Sequence, residues 1–248
     1  MKTIILDLCG GTGSWSKPYK DAGYDVLNIT LPFYDVLSTT IHDDKLVFWS
    51  PKESPVYPYL EVNKADIYGI LAAPPCTMFS DARTNAKTPR DLIGGMAIVN
   101  KCIEIIQSCQ YRTVSDQQKY SPLKFWALEN PWYGRLKWFL GNPVYSFNPW
   151  EFGHNYKKKT ALWGYFKEPI KTHKLETEVM SEKDIELNKS NSRKLPKFDT
   201  LTMEQLKAMD NMAGSKKQLE YWKNTKTRQA MRSITPAGFA LAFFRANK

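Results

Sequence analysis

The sequence predicts an α/β fold, on three observations. Short apolar runs bounded by turn residues, Thr3–Leu8, Ile67–Ala73 and Phe125–Leu128, read as buried strands. A glycine-rich turn, Gly10-Gly11-Thr12-Gly13, joins the first run to a helical stretch reaching about Gly23. Between the second and third runs, Ile98, Cys102, Ile105, Ile106 and Cys109 recur at helical spacing within residues 91–112. Strands alternating with helices form open α/β sheets, which hold ligands beyond the carboxyl ends of their strands.

Each element follows from local chemistry. The first strand runs into Asp7-Leu8-Cys9-Gly10-Gly11-Thr12-Gly13. Glycines there let a ligand approach the backbone closely. The turn is neither G-x-G-x-x-G nor a P-loop, which needs Gly-Lys-Ser/Thr. Without a phosphate-binding lysine, it points to a cofactor with an amino-acid moiety; a plain strand-to-helix turn is the other reading. Residues 25–31 form a second strand ended by Pro32, with Asp35 and Val36 on the loop beyond it. Residues 41–65, with Pro51, Pro55 and Pro58, read as loops with one short strand.

The strand over 65–73 stops at Pro74-Pro75, because two prolines cannot continue a central ladder. Cys76 stands just past it, a candidate nucleophile or else a small buried hydrophobe. Residues 84–89 read as polar loop, and Thr88-Pro89-Arg90-Asp91 starts the long helix. Cys102 and Cys109 fall on its core face, and residues 113–123 form a polar connection. The strand Phe125–Leu128 ends in Glu129-Asn130-Pro131, putting an acid at the sheet edge that carries Cys76. A short helix at 134–140 and strands at 144–147 and 161–165 follow. Between those strands Lys157, Lys158 and Lys159 adjoin Tyr156, suiting either phosphate contact or a solvated charge run. The last segment, 228–247, reads as a turn at Thr235-Pro236 and a helix packing Phe239, Leu241, Ala242 and Phe243 on the sheet.

A chain of 248 residues suffices for one large domain with a small lobe. The main domain is expected over 1–165 and 227–248. Residues 166–226, polar and lysine-rich, are expected to be a small insertion with a helix at 202–212 and a flexible stretch at 190–194. Thirty-five Lys and Arg against 25 Asp and Glu give a net charge of +10, which favours a polyanionic partner, nucleic acid first. Cys9, Cys76, Cys102 and Cys109 make no CxxC pair and no zinc-like cluster with the three histidines. The opening apolar run breaks at Asp7, too soon for a signal peptide, and no run approaches the roughly 20 residues of a bilayer span. A reduced, cytoplasmic protein without membrane or metal is the expectation.

The ordered motifs Asp-Leu-Cys-Gly-Gly-Thr-Gly (7–13), Pro-Pro-Cys-x-x-Phe-Ser (74–80), Glu-Asn-Pro (129–131) and Lys-Lys-Thr-Ala-Leu-Trp-Gly (158–164) resemble those of cytosine-C5 DNA methyltransferases. The chain is most similar to compact phage-encoded members, sharing Ile-Thr-Leu-Pro (29–32), the run 69–80 and a closing Ser-Ile-Thr-Pro-Ala-Gly-Phe-Ala. The resemblance covers most of residues 3–165 and 228–247. It implies a Rossmann-like S-adenosylmethionine-dependent methyltransferase sheet with helices on both faces and a small polar insertion. It implies S-adenosylmethionine over Asp7, Cys9, Gly10, Gly11 and Gly13, with Thr30 and Pro74 at the margin, Asp35 facing the adenine and Val36 beside it. It implies Cys76 as nucleophile, Glu129 as catalytic acid, and Arg83 positioning either Cys76 or the base. DNA would be held by Ser80 and Lys157 to Lys159. Thr30 stands where larger members carry an acid, Tyr-Lys-Lys-Lys-Thr replaces Gln-x-Arg-x-Arg, and the large recognition domain is missing. A non-catalytic nucleic-acid-binding relative, or the same chemistry on RNA or a free cytosine nucleotide, are the alternatives.

Overall fold

The computed structural model describes residues 3–52, 54, 58–83, 87–114, 117–120, 123–182, 195–198, 201–202, 204, 215–224 and 233–248. The expected helix at 202–212 and the stretch 190–194 lie largely or wholly outside these residues.

The chain forms an α/β structure around a mixed six-stranded sheet. Its strands are β1 (Ile4–Leu8), β2 (Asp25–Ile29), β6 (Ile67–Ala72), β9 (Phe125–Pro131), β10 (Tyr145–Phe147) and β11 (Thr160–Tyr165), in the spatial order β10-β11-β9-β6-β1-β2. β2, β1, β6 and β9 run parallel, and β11 runs antiparallel to both its neighbours. β1 is buried along its whole length, which explains its unbroken apolar run. The chain moves from β1 outward to β2, then crosses back to β6 on the other side. The carboxyl end of β1 is therefore a topological switch point, where open sheets leave a crevice.

Helix α2 (Leu92–Gln110) packs one face on the sheet through Gly95, Val99, Cys102, Ile105, Ile106 and Cys109. The sequence shows no apolar run long enough for a bilayer, yet α2 is long and apolar enough by length and composition. Asn100, Lys101, Glu104 and Gln107 interrupt the run on paper, while the six buried residues mark a helix with a core face. The other face of the sheet is covered by α1 (Lys17–Asp21) and α5 (Ala237–Asn247). There Trp15, Tyr19, Phe125, Phe147, Phe239 and Phe243 form an aromatic core, with Phe239 stacked on Phe147 at 3.7 Å between ring centres. Within it the Phe125 ring occupies the space a Cβ on Gly69 would need, so the β6–β9 contact is built around that glycine.

Three segments depart from expectation. Residues 41–65 carry most of a three-stranded antiparallel sheet of β3 (Thr40–Ile41), β4 (Lys45–Trp49) and β5 (Tyr59–Asn63), rather than loops with one strand. The prolines that suggested loop fall outside these strands, between β4 and β5. The connection at 113–123 includes a hairpin of β7 (Tyr111–Val114) and β8 (Gln117–Tyr120). β9 continues past Leu128 to Pro131, because β11 remains beside it as an antiparallel partner after β6 has ended. Of the expected insertion, 195–198 pairs with the 157 loop, and α4 (Lys216–Asn224) docks on the end of β2, where Gln218 donates to the Asn28 carbonyl at 2.9 Å.

Candidate active site

Parallel register sets the site. Leu8, Ala72 and Leu128 stand abreast on β1, β6 and β9. One residue further lie Cys9, opening the glycine turn; Ala73, leading to Cys76; and Glu129. Hydrogen bonds stitch these ends together. The Cys9 N–H donates to the Ile29 carbonyl at 2.8 Å, and the Ala73 N–H to the Leu8 carbonyl at 2.9 Å. Asn130 Nδ2 donates to the Pro74 carbonyl at 3.0 Å and is buried. The structure thus gathers the expected cofactor turn, nucleophile and acid on one sheet edge.

Cys76 begins a 3-10 turn, Cys76–Met78, after the two prolines stop β6. The Phe79 and Ser80 N–H groups return to the Cys76 carbonyl at 2.9 and 2.8 Å, which folds the loop tightly. Phe79 is its anchor, fully buried against α2, where Gly95 leaves room for the ring. Cys76 itself is half-buried, so the thiol is not sealed in the core. Arg90 Nη1 donates to both the Met78 and Ser80 carbonyls at 2.9 Å, clamping the loop from outside.

Arg83 braces the Cys76 loop against the segment that follows it. Its guanidinium donates to Met78 Sδ at 3.2 Å, to the Thr88 carbonyl and Oγ1 at 3.0 and 2.6 Å, and to the Pro89 carbonyl at 3.1 Å. It ties the 87–89 segment to the Cys76 loop. Arg90 holds the same loop from its other side, and the sequence presents it only as part of a helix start.

Glu129 lies within β9 opposite Leu162 rather than past the strand end. Burial raises its carboxyl above the usual range, and the Lys158 ammonium pulls it back. The three lysines therefore separate. Lys157 pairs with Glu176 at 2.6 Å. Lys158 is the counter-charge of Glu129 and lies 5.1 Å from the Phe198 ring centre. Lys159 lies 4.4 Å from the Trp132 ring centre. All three are half-buried, each with a different neighbour. Ser80 sits in the Cys76 loop, bridged to Gly134.

The glycine turn forms the other half of the edge. Cys9, Gly11 and Gly13 all take positive φ, at 55°, 54° and 69°. Gly10 lies directly against the Asp7 carboxylate, where a Cβ has no room. Asp7 is fully buried and accepts from Ser16 Oγ at 2.5 Å. Burial outweighs that bond and pushes its carboxyl up to about 7. The Cys102 thiol and then burial push the Cys9 thiol well above its ordinary range, so Cys9 offers backbone rather than a nucleophile. Thr30, Val36 and Pro74 are buried nearby. The Asp35 carboxylate caps its own 3-10 turn, accepting from the Leu37 N–H at 3.0 Å and Ser38 Oγ at 3.3 Å.

Asp7 Oδ1, Thr12 Oγ1 and Asn28 Oδ1 are buried without a hydrogen-bond partner among the described residues. Two orphaned acceptors and a hydroxyl around a bare-backbone turn suit a ligand bringing N–H donors and positive charge. The closing segment completes the turn: the Thr235 N–H donates to Ser14 Oγ at 2.6 Å, and Ser233 packs on Gly11. The motif Ser-Ile-Thr-Pro signalled only a helix start, so this contribution is not visible in the sequence. Among the described residues no cluster of three His, Cys, Asp or Glu could hold a metal ion. No protein-family model matches the chain, and no curated protein sequence does.

Proposed function

We propose that this protein transfers a methyl group from S-adenosylmethionine to C5 of cytosine in DNA, on a Rossmann-like methyltransferase sheet. The observation that carries this reading is the joined edge: Cys76, just past β6, and Glu129, within the adjacent β9, are tied by the Asn130–Pro74 bond beside an acid-floored glycine turn.

The cofactor supplies an electrophilic methyl group when bound. Asp7, Thr12 and Asn28 have the unfilled acceptors to hold its amino-acid end, with Asp35 and Val36 on the adenine side. Cytosine C5 is too weak a nucleophile to accept a methyl directly. The Cys76 thiolate forms a bond to C6, and the ring's electrons move toward N3 and C5. Glu129, whose acid form burial favours, gives its proton to N3. C5, made enamine-like by these two residues, would then accept the methyl that the cofactor supplies, with the S–CH3 bond broken and a neutral thioether leaving. Loss of the C5 proton to a base restores the C5–C6 double bond, expels the thiolate, and N3 returns its proton to Glu129. Lys158 balances the carboxylate between those steps. In a bacterial host, such a protein would work in the cytoplasm.

Covalent trapping tests the reading. With S-adenosylmethionine and DNA carrying 5-fluorocytosine, fluorine replaces the proton whose loss releases the enzyme. We expect a denaturation-resistant adduct with the native protein and none with Cys76→Ala. Parallel arms with 5-fluorocytosine in RNA and as a nucleotide assign the substrate. No adduct in any arm rejects the enzyme.

A further inference from the structure

The segment after Glu129-Asn130-Pro131 is not used by this chemistry, yet it is the most exposed aromatic surface near it. Tyr133, Trp138 and Phe139 are 64, 70 and 48% exposed on a short stretch ending in α3 (Lys137–Leu140). Cations are interleaved with them. The Arg135 guanidinium lies 5.3 Å from the Trp138 ring centre, and Lys137 and Lys159 lie 5.9 and 4.4 Å from that of Trp132. Among the described residues none of these three cations is paired with a carboxylate.

This surface is fixed to the Cys76 loop. The Arg135 N–H donates to the Phe79 carbonyl at 3.0 Å, the Asp81 N–H to the Tyr133 carbonyl at 3.3 Å, and Ser80 bridges Gly134. The Phe139 ring packs edge-on to Phe79 at 6.3 Å. A polymer lying across these rings therefore passes beside Cys76.

We propose that Tyr133, Trp138 and Phe139, with Arg135, Lys137 and Lys159, form a stacking platform for unpaired nucleotides flanking the target base. Flat exposed rings gain from bases whose faces are open, and duplex bases already cover one another's faces. The unpaired cations match a phosphate backbone, and the net charge of +10 supplies long-range attraction. Stacking accepts any base. The inference deepens the proposed function by naming the form of its substrate and rests on it only for the role of the neighbouring Cys76.

Binding is read by fluorescence anisotropy on the Cys76→Ala protein without cofactor, using a labelled 20-nucleotide oligo-dT strand, its oligo-rU counterpart and a 20-base-pair duplex. The strand should bind more tightly than the duplex. Tyr133→Ala with Trp138→Ala should weaken strand binding roughly ten- to a hundredfold. Arg135→Ala with Lys137→Ala should flatten the slope of log affinity against log salt by about 1.4, from roughly 0.7 per cation. The exposed positions should leave the melting temperature unchanged. The oligo-rU arm assigns the sugar, and either preference supports the platform. Duplex binding equal to strand binding, or strand binding indifferent to the aromatic pair, overturns the proposal. So does a dimer in sedimentation that Trp138→Ala dissolves while strand binding is untouched. A strand that binds through the platform but never traps sinks the methyltransferase and leaves the platform standing.

Discussion

Asp7 is a buried carboxylate held by one hydroxyl and pushed up to about 7. Its folded value lies above its unfolded value of 3.8, so the folded state binds the extra proton between them. Stability from this group is full below about pH 4 and is lost as pH rises to about 7. Asp7→Asn should therefore raise the free energy of unfolding at pH 8 by on the order of 2–4 kcal/mol, seen as a higher melting temperature, and change little at pH 4. The same variant should weaken S-adenosylmethionine binding at least tenfold by calorimetry, since it removes the charge facing the cofactor. Glu129 gives a second pH test. If its acid form donates to N3, kcat/KM falls as pH rises through its raised pKa. Lys158→Gln removes the charge that lowers that pKa, so the falling limb should move to higher pH. An unmoved limb assigns it to another group. That Cys76 and Glu129 share one sheet edge was legible because each closely follows an apolar run. Lys158 was legible only as one of three equal lysines, because only the fold gives each a different neighbour: Glu176, Glu129 and Trp132.

The Cys76 loop owes its shape to contacts from three separate elements. Arg90 holds two of its carbonyls, Asn130 on β9 holds a third, and Gly95 on α2 accommodates Phe79. Arg90→Ala removes two charge-assisted bonds and should slow adduct formation roughly ten- to a hundredfold, at about 1.5–3 kcal/mol. Cofactor affinity should stay unchanged, because the glycine turn has its own supports. Equal losses in both would mean that the whole edge had moved. Arginine as a loop clamp is invisible in sequence, since its partners are backbone carbonyls 10 and 12 residues away. The strands of the six-stranded sheet were legible because burial on both faces writes continuous apolar runs. β3, β4, β5 and the β7–β8 hairpin were not. Their short strands carry polar residues among the apolar ones, and only the fold shows that Leu46, Phe48 and Val62 join the main core.

The closing helix joins distant parts of the chain. α5 lies on α1, bonds the 153–160 loop through Gly238 and His154, and leads from the segment that completes the glycine turn. His154 Nε2 accepts the Gly238 N–H at 3.2 Å, and burial lowers its pKa below 6.5. The folded state therefore favours the neutral ring. Its contribution is full above pH 6.5 and is lost as pH falls through the lowered value. Native protein should lose melting temperature more steeply than His154→Gln on acidification below pH 6.5; parallel curves would exclude this residue. The Phe125 ring seated over Gly69 has a genetic consequence. Gly69→Ala must push aside a ring already enclosed by Tyr19, Tyr68 and Phe243. The strain, on the order of 1–3 kcal/mol, falls where β6 meets the start of β9. Such an allele should be conditional: functional in cells grown cool and defective in cells grown warm, with its chemistry intact whenever the fold survives.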